Sequence, residues 1–243
     1  MKASYGPAVA ALAVMMLALS CSGCESTQEK SAELKKLEKH EVLAARGVSV
    51  SSESPNVKVL HSTVVRSSEG TTAVVVVLRD NASHAIELAP IEVRTTDAKR
   101  AVLYQNNAPG LEPSLTRVSL LTPGKDTVWV DDQAQGSGVA TGASALVGEG
   151  KPATTIPKIS VTGAHLSAEA GSETESGMVA NQSSVTQQNL VVYAVARKGA
   201  KIVAAGRAVL PEVAAGATAP FQIYFVGAPR GAQIEVSAPP STF

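Results

Sequence analysis

Beyond residue 24 the chain contains no cysteine, and its only two, Cys21 and Cys24, lie three positions apart near the start. Disulfides are thereby excluded as staples of the fold that follows, and stability has to come from apolar burial. Aromatic residues make up 3% of the chain, so the core has to be built from aliphatic side chains, chiefly valine and alanine. An excess of one charge is missing too, because 21 basic residues balance 21 acidic ones. A neutral chain has no net field to attract nucleic acid, and basic stretches interleaved with aromatics are absent, so nucleic-acid binding is not expected. The apolar stretch of the leader, residues 8–20 (AVAALAVMMLALS), is thirteen residues without a charge. As a helix it spans about 20 Å against a hydrocarbon core of about 30 Å. That length falls short of a spanning helix and fits the h-region of a secretory signal. No later stretch approaches eighteen apolar residues.

The residue sets that carry chemistry are also sparse. His40, His61, His84 and His165 are scattered, and none has a second ligand at metal-binding spacing. No G-x-S-x-G elbow and no G-x-G-x-x-G turn occurs in the context either requires. Asp131 and Asp132 are adjacent, so on a strand they point to opposite faces and cannot clasp one cation. No metal, no cofactor and no catalytic residue is expected.

What is present near the start is a cysteine preceded by an apolar run and a small residue, residues 17–21 (LALSC). This resembles the bacterial lipobox. The resemblance implies that the Cys21 thiol is alkylated by diacylglycerol and that cleavage before it removes residues 1–20. Cys24, after Ser22 and Gly23, is the second candidate. A plain signal peptide, or a Cys21–Cys24 disulfide, is the remaining alternative, though so short a bridge closes almost no loop. A diacylglyceryl cysteine carries two chains, and two chains give stable attachment to a lipid bilayer where one does not. Residues 25–46 (ESTQEKSAELKKLEKHEVLAAR) are free of Gly and Pro and end at Gly47, a suitable helix stop. Their apolar stripe of Leu34, Leu37 and Val42 is thin, so residues 21–54 are expected to form a lipidated start, a solvated helical stalk and a hinge.

From there the chain repeats a pattern. Residues 72–79 (TAVVVVLR) form an unbroken apolar run of strand length, and residues 190–195 (LVVYAV) form another. Residues 121–124 (LTPG) match 213–216 (VAAG), and an aromatic follows each glycine by five positions, Trp129 and Phe221. Residues 142–147 (GASALV) match 231–236 (GAQIEV). Short strands punctuated by turn signals predict an all-β chain, two tandem immunoglobulin-like sandwiches over 55–149 and 156–239 joined by a linker at 150–155. Trp129 and Phe221 read as core residues, and Asn81 and Asn181 as turn formers.

Over roughly residues 159–224 the second unit resembles the FxLYD-type domains of bacterial exported proteins. The resemblance rests on residues 179–183 (VANQS), the strand to Val195, Gly199, Ala205, Gly206, the loop at Ala215 and Gly216, and Pro220 with Phe221. Ala196 stands where that family has Asp, and Ala215–Gly216 where it has Pro-Gly. The family implies an immunoglobulin-like, non-catalytic module exposed in the cell envelope. The whole arrangement also resembles uncharacterised two-domain actinobacterial lipoproteins.

The two units differ in one place. From Tyr104 to Leu121 is seventeen steps, but from Val203 to Val213 only ten. The seven extra residues fall around 105–113 (QNNAPGLEP), and sandwich loops of this kind often carry contacts. Asn106, Asn107, Pro109 and Leu111 are therefore the expected partner-contacting residues, with an inert long hairpin as the alternative. The expectation overall is a non-enzymatic lipoprotein at the extracytoplasmic face of the cell membrane, presenting two modules to an envelope protein partner. A solute-binding receptor and a cell-envelope hydrolase are the competing readings.

Overall fold

A computed structural model describes residues 47–243 other than Ala170 and Gly171. The leader, Cys21, Cys24 and the expected helical stalk lie outside the described residues. The described chain is nearly all β, and among the described residues its one helical element is a 3-10 turn at Pro113–Leu115.

Eight strands come first: β1 (Val57–Arg66), β2 (Thr72–Asp80), β3 (Ile86–Thr96), β4 (Val102–Gln105), β5 (Arg117–Leu121), β6 (Asp126–Asp131), β7 (Gly142–Val147) and β8 (Lys151–Pro152). Strands β1, β2 and β6 form one antiparallel sheet in that order. The second sheet is organised on β3, which pairs with β5 and β8 along its first half and with β4 and β7 along its second. Residues 151 and 152, in the expected linker, are thus paired to the first sandwich.

Seven strands follow: β9 (Ile159–Glu169), β10 (Ser172–Asn181), β11 (Gln187–Lys198), β12 (Lys201–Val213), β13 (Thr218–Tyr224), β14 (Val226–Gly227) and β15 (Gln233–Ser237). They make the sheets β13-β10-β9 and β14-β12-β11-β15. The order of β1-β2-β6 is that of β9-β10-β13, and β7 lies beside β3 as β15 lies beside β11. The repeat extends to backbone detail. Leu88 (φ 54°) and Asn189 (φ 50°) are each the third residue of their strands and each is skipped by the ladder pairing, so both copies carry a left-handed kink at one place.

The core explains the two unbroken apolar runs. A strand buried on both faces has no reason to alternate. In β11, Leu190, Val192 and Ala194 pack with Val179, Phe221 and Ile223 inside the second sandwich. The intervening Val191, Tyr193 and Val195 belong instead to the cluster that holds Val74–Leu78 and Trp129. Register partners share a face, and Trp129 pairs with Val76 while Val128 pairs with Val77. Trp129 points into the first sandwich, where its Nε1 donates to the Ser114 carbonyl at 2.9 Å. Val128 points the other way and lines a cleft with Tyr193 and Val195. The apolar cluster of the first sandwich therefore runs across the junction onto the facing side of β11 and β12, the interior of the second sandwich forms a second cluster, and both sandwiches lie within one compact unit.

Candidate functional site at the junction of the sandwiches

One charged side chain is buried where the inner layers meet. Arg207 sits on β12 in the segment 202–210 (IVAAGRAVL), on the face shared with Ala205 that meets the first sandwich. Its side chain is 3% exposed. Each of the three guanidinium nitrogens donates a hydrogen bond. Nε donates to Asp132 Oδ1 at 2.9 Å, Nη1 to Ser114 Oγ at 2.6 Å and Nη2 to Glu112 Oε2 at 3.2 Å. Burial works against the charge, but Asp132 and Glu112 outweigh it and hold the guanidinium above its ordinary pKa.

A second polar pair lies beside it. The Tyr104 hydroxyl donates to Asp131 Oδ2 at 2.6 Å, and the Gln133 amide donates to Asp131 Oδ1 at 2.9 Å. Burial pushes the Asp131 carboxyl above the usual carboxylate range, against the pull of these two donors and of Arg207. Burial also pushes the Tyr104 phenol up, reinforced by the neighbouring Asp131 charge, and pushes the Tyr193 phenol up against the opposing pull of Arg207. Asp131 and Asp132 do point to opposite faces, one to Tyr104 within the first sandwich and one to Arg207 across the junction.

Two concavities flank this cluster. A cleft of about 490 Å³ runs between β6 and the strands β9 and β15, walled by Val128, Val161, Tyr193, Val195 and Val236. A smaller cavity of about 250 Å³ is lined by Glu112, Ser114, Tyr193 and both kinked residues, Leu88 and Asn189. The polar groups around the junction are bonded to one another, which suits them to holding a shape. Among the described residues no group of three or more His, Cys, Asp and Glu side chains converges as a metal site would require.

The structure separates the four residues expected at a partner surface. Asn106 is fully buried, a correction to its expected exposure. Its Oδ1 accepts from the Val93 amide at 2.7 Å, and its Nδ2 donates to the carbonyls of Ile91 at 2.9 Å and Leu115 at 2.7 Å. It pins the insertion to β3, because a loop turned inward must have its backbone groups satisfied. Asn107 and Pro109 are exposed and Leu111 is half-buried. The rest of the insertion does not project freely. It divides the counterpart of β12 into β4 and β5, and its Glu112 and Ser114 hold Arg207 of the second sandwich. Trp129 and Phe221 are core residues, 0% and 4% exposed.

Asn181 is a buried turn former. Its Oδ1 accepts from the Ser183 amide, while its Nδ2 donates to the carbonyls of Val185, Val213 and Ala214. Its structural counterpart is Asp80 and not Asn81, since Asp80 ends β2 as Asn181 ends β10 and Asp80 Oδ1 accepts from Ala82 two residues on. Arg207, Glu112 and Ser114 are the functional-grade contacts that sequence reasoning missed. The signal for them was one arginine inside the otherwise apolar segment 202–210, opposite an insertion that carries a glutamate. No protein-family model and no curated protein matches this chain, so its role rests on the geometry of these residues.

Proposed function

We propose that the chain is an exported bacterial lipoprotein that holds two immunoglobulin-like modules at the extracytoplasmic face of the cell membrane and works by protein contact. Cys21, or Cys24 in its place, carries the diacylglyceryl group, and the second module belongs with the FxLYD-type domains. The observation that carries this reading is the junction. Arg207, Asp132, Glu112 and Ser114 spend their polar groups on one another across the two sandwiches, so charge that a catalyst would keep free is used to make a stiff display platform. The repeat also fits a display role, because sandwich edges and end loops are what such modules offer to partners.

The test has two arms. Fatty-acid labelling in cells compares wild type with Cys21→Ala, Cys24→Ala and the double variant, and label is expected to vanish in the double variant. Label that persists there ends the lipoprotein reading. In-cell crosslinking then asks whether a defined protein is captured at the membrane, and an empty result ends the contact reading.

The cleft favours one competing reading, a solute receptor, since about 490 Å³ falls in the range of small-molecule sites. That reading requires a melting temperature that rises with a small solute. Screening the purified protein against amino acids, sugars and nucleosides by thermal shift decides it.

A further inference from the structure

The two sandwiches differ along one side. In the first, β1 and β7 close together, and the Ser62 hydroxyl donates to the Ala143 carbonyl across them at 2.8 Å. Their counterparts are β9 and β15. Among the described residues each pairs with a single neighbour, β10 and β11 respectively. Among the described residues no hydrogen bond joins β9 to β15. A groove of about 410 Å³ lies between them instead, walled by Val161, Leu166, Ala232, Ile234 and Val236. Val161 and Val236 also line the junction cleft, so the groove adjoins it.

A carboxylate lies on this groove. Glu175, on the middle strand β10, is 3% exposed, and its Oε2 has no hydrogen-bond partner among the described residues. Burial pushes its carboxyl above the usual range, and His165 at the rim pulls it back. A buried carboxylate oxygen without a donor is costly, and an arriving ammonium or guanidinium would satisfy it. A bare divalent cation would find too few oxygen ligands there.

We propose that the groove between β9 and β15 accepts an extended segment of another protein as an added strand, with a lysine or arginine of that segment seated on Glu175. Three features select this occupant. The groove is bordered by two strand edges that pair with no further strand among the described residues, which favours an extended chain over a helix. From Val161 to Leu166 is about 17 Å of strand, enough for roughly five residues of the incoming segment. The walls are aliphatic except at Glu175 and His165, so the period of two in a strand places apolar residues on alternate positions and one cation, facing Glu175, among them. The proposal gives the protein-contact reading a specific surface, and it depends on that reading but not on the lipid anchor.

The experiment uses the detergent-solubilised full chain and a displayed library of random nonapeptides. Enriched peptides are resynthesised with a fluorophore and titrated by anisotropy. They are expected to carry one Lys or Arg flanked at two-residue spacing by apolar residues. Glu175→Gln, which keeps the groove's shape, is expected to weaken them at least about tenfold. Ala232→Trp, which fills the groove, is expected to remove binding. Circular dichroism and a melt establish that both variants fold, and Val161→Lys replaces Ala232→Trp if the latter does not. No enrichment, or equal binding to the groove-filled variant, overturns the proposal. A dimer that Ala232→Trp dissolves would assign the groove to a second copy of the chain and overturn it as well. Selection succeeds or fails whether or not Cys21 is lipidated, so the anchor and the groove stand or fall separately.

Discussion

Arg207 Nε and Asp132 Oδ1 are 2.9 Å apart although 75 residues separate them in sequence, and this bond ties a strand of the second sandwich to the first. With Glu112 and Ser114 it anchors the guanidinium at the centre of the layered core. The faces on either side are rich in aliphatic side chains, Val191, Tyr193, Val195 and Ala205 meeting the valines of β2.

Arg207→Ala is expected to destabilise the whole molecule by about 3 kcal/mol. That is the low end for a severed buried ion pair, because Glu112 and Asp132 keep 34% and 20% exposure and can be rehydrated. Urea unfolding checks it with two probes. Trp129, the only tryptophan, reports on the first sandwich, while far-UV circular dichroism reports on both. The midpoints are expected to coincide and to fall together. A substitution on the junction face of the second sandwich that leaves the Trp129 midpoint unmoved would contradict the shared junction cluster.

Asn106→Ala removes three bonds at a fully buried position. It leaves the Val93 amide and two carbonyls unmatched, at an expected cost of about 2–3 kcal/mol. Asn107→Ala, at the exposed neighbouring position, is expected to stay within about 0.5 kcal/mol of wild type. Paired thermal melts measure the contrast, and equal melting temperatures would refute the assigned roles.

Asp80 Oδ2 is buried without a partner among the described residues, at the position where the second copy has the Asn181 amide, which donates to three carbonyls. Asp80→Asn puts a donor there and is expected to stabilise the protein by about 1 kcal/mol. Asn181→Asp makes the reverse exchange and is expected to destabilise by at least as much. Opposite shifts in melting temperature support the equivalence of the two turns, and shifts of the same sign reject it.

Tyr104 and Tyr193 both have phenol pKa values raised by burial above the ordinary value of 10.0. In the unfolded chain these phenols lose their protons near pH 10, but in the folded chain they do not. Their contribution to stability is therefore complete below pH 10 and is lost as pH rises further. Tyrosinate absorbance from these two residues is expected to appear together with the loss of circular dichroism. Its appearance in the folded state would disprove their burial. Tyr104→Phe, which lacks the titrating group, is expected to flatten the decline.

The division into repeats was legible because hydrophobic runs and turn residues lie at matched spacings, as in LTPG and VAAG or GASALV and GAQIEV. The meaning of the unbroken runs was half-legible. The segment VVVVL says that a strand is covered on both faces but not what covers it, and here the cover is the other copy. Asn106 was misplaced because turn chemistry marks a loop without saying whether it folds outward or inward. Asp80 and Asn81 could not be told apart as turn formers without the register of β2. Glu175 lies in a polar stretch, ETESG, that reads as surface, and only the pairing of β10 between β9 and β13 puts it inside.

The shared apolar junction constrains how such a chain can evolve. Two beads on a string can be shuffled, lost or multiplied one at a time. Here, deleting either copy would uncover a valine and tyrosine surface on the survivor, an invitation to clumping. The two halves are thus bound to a common fate, free to diverge at their outer rims but obliged to change in step wherever they touch.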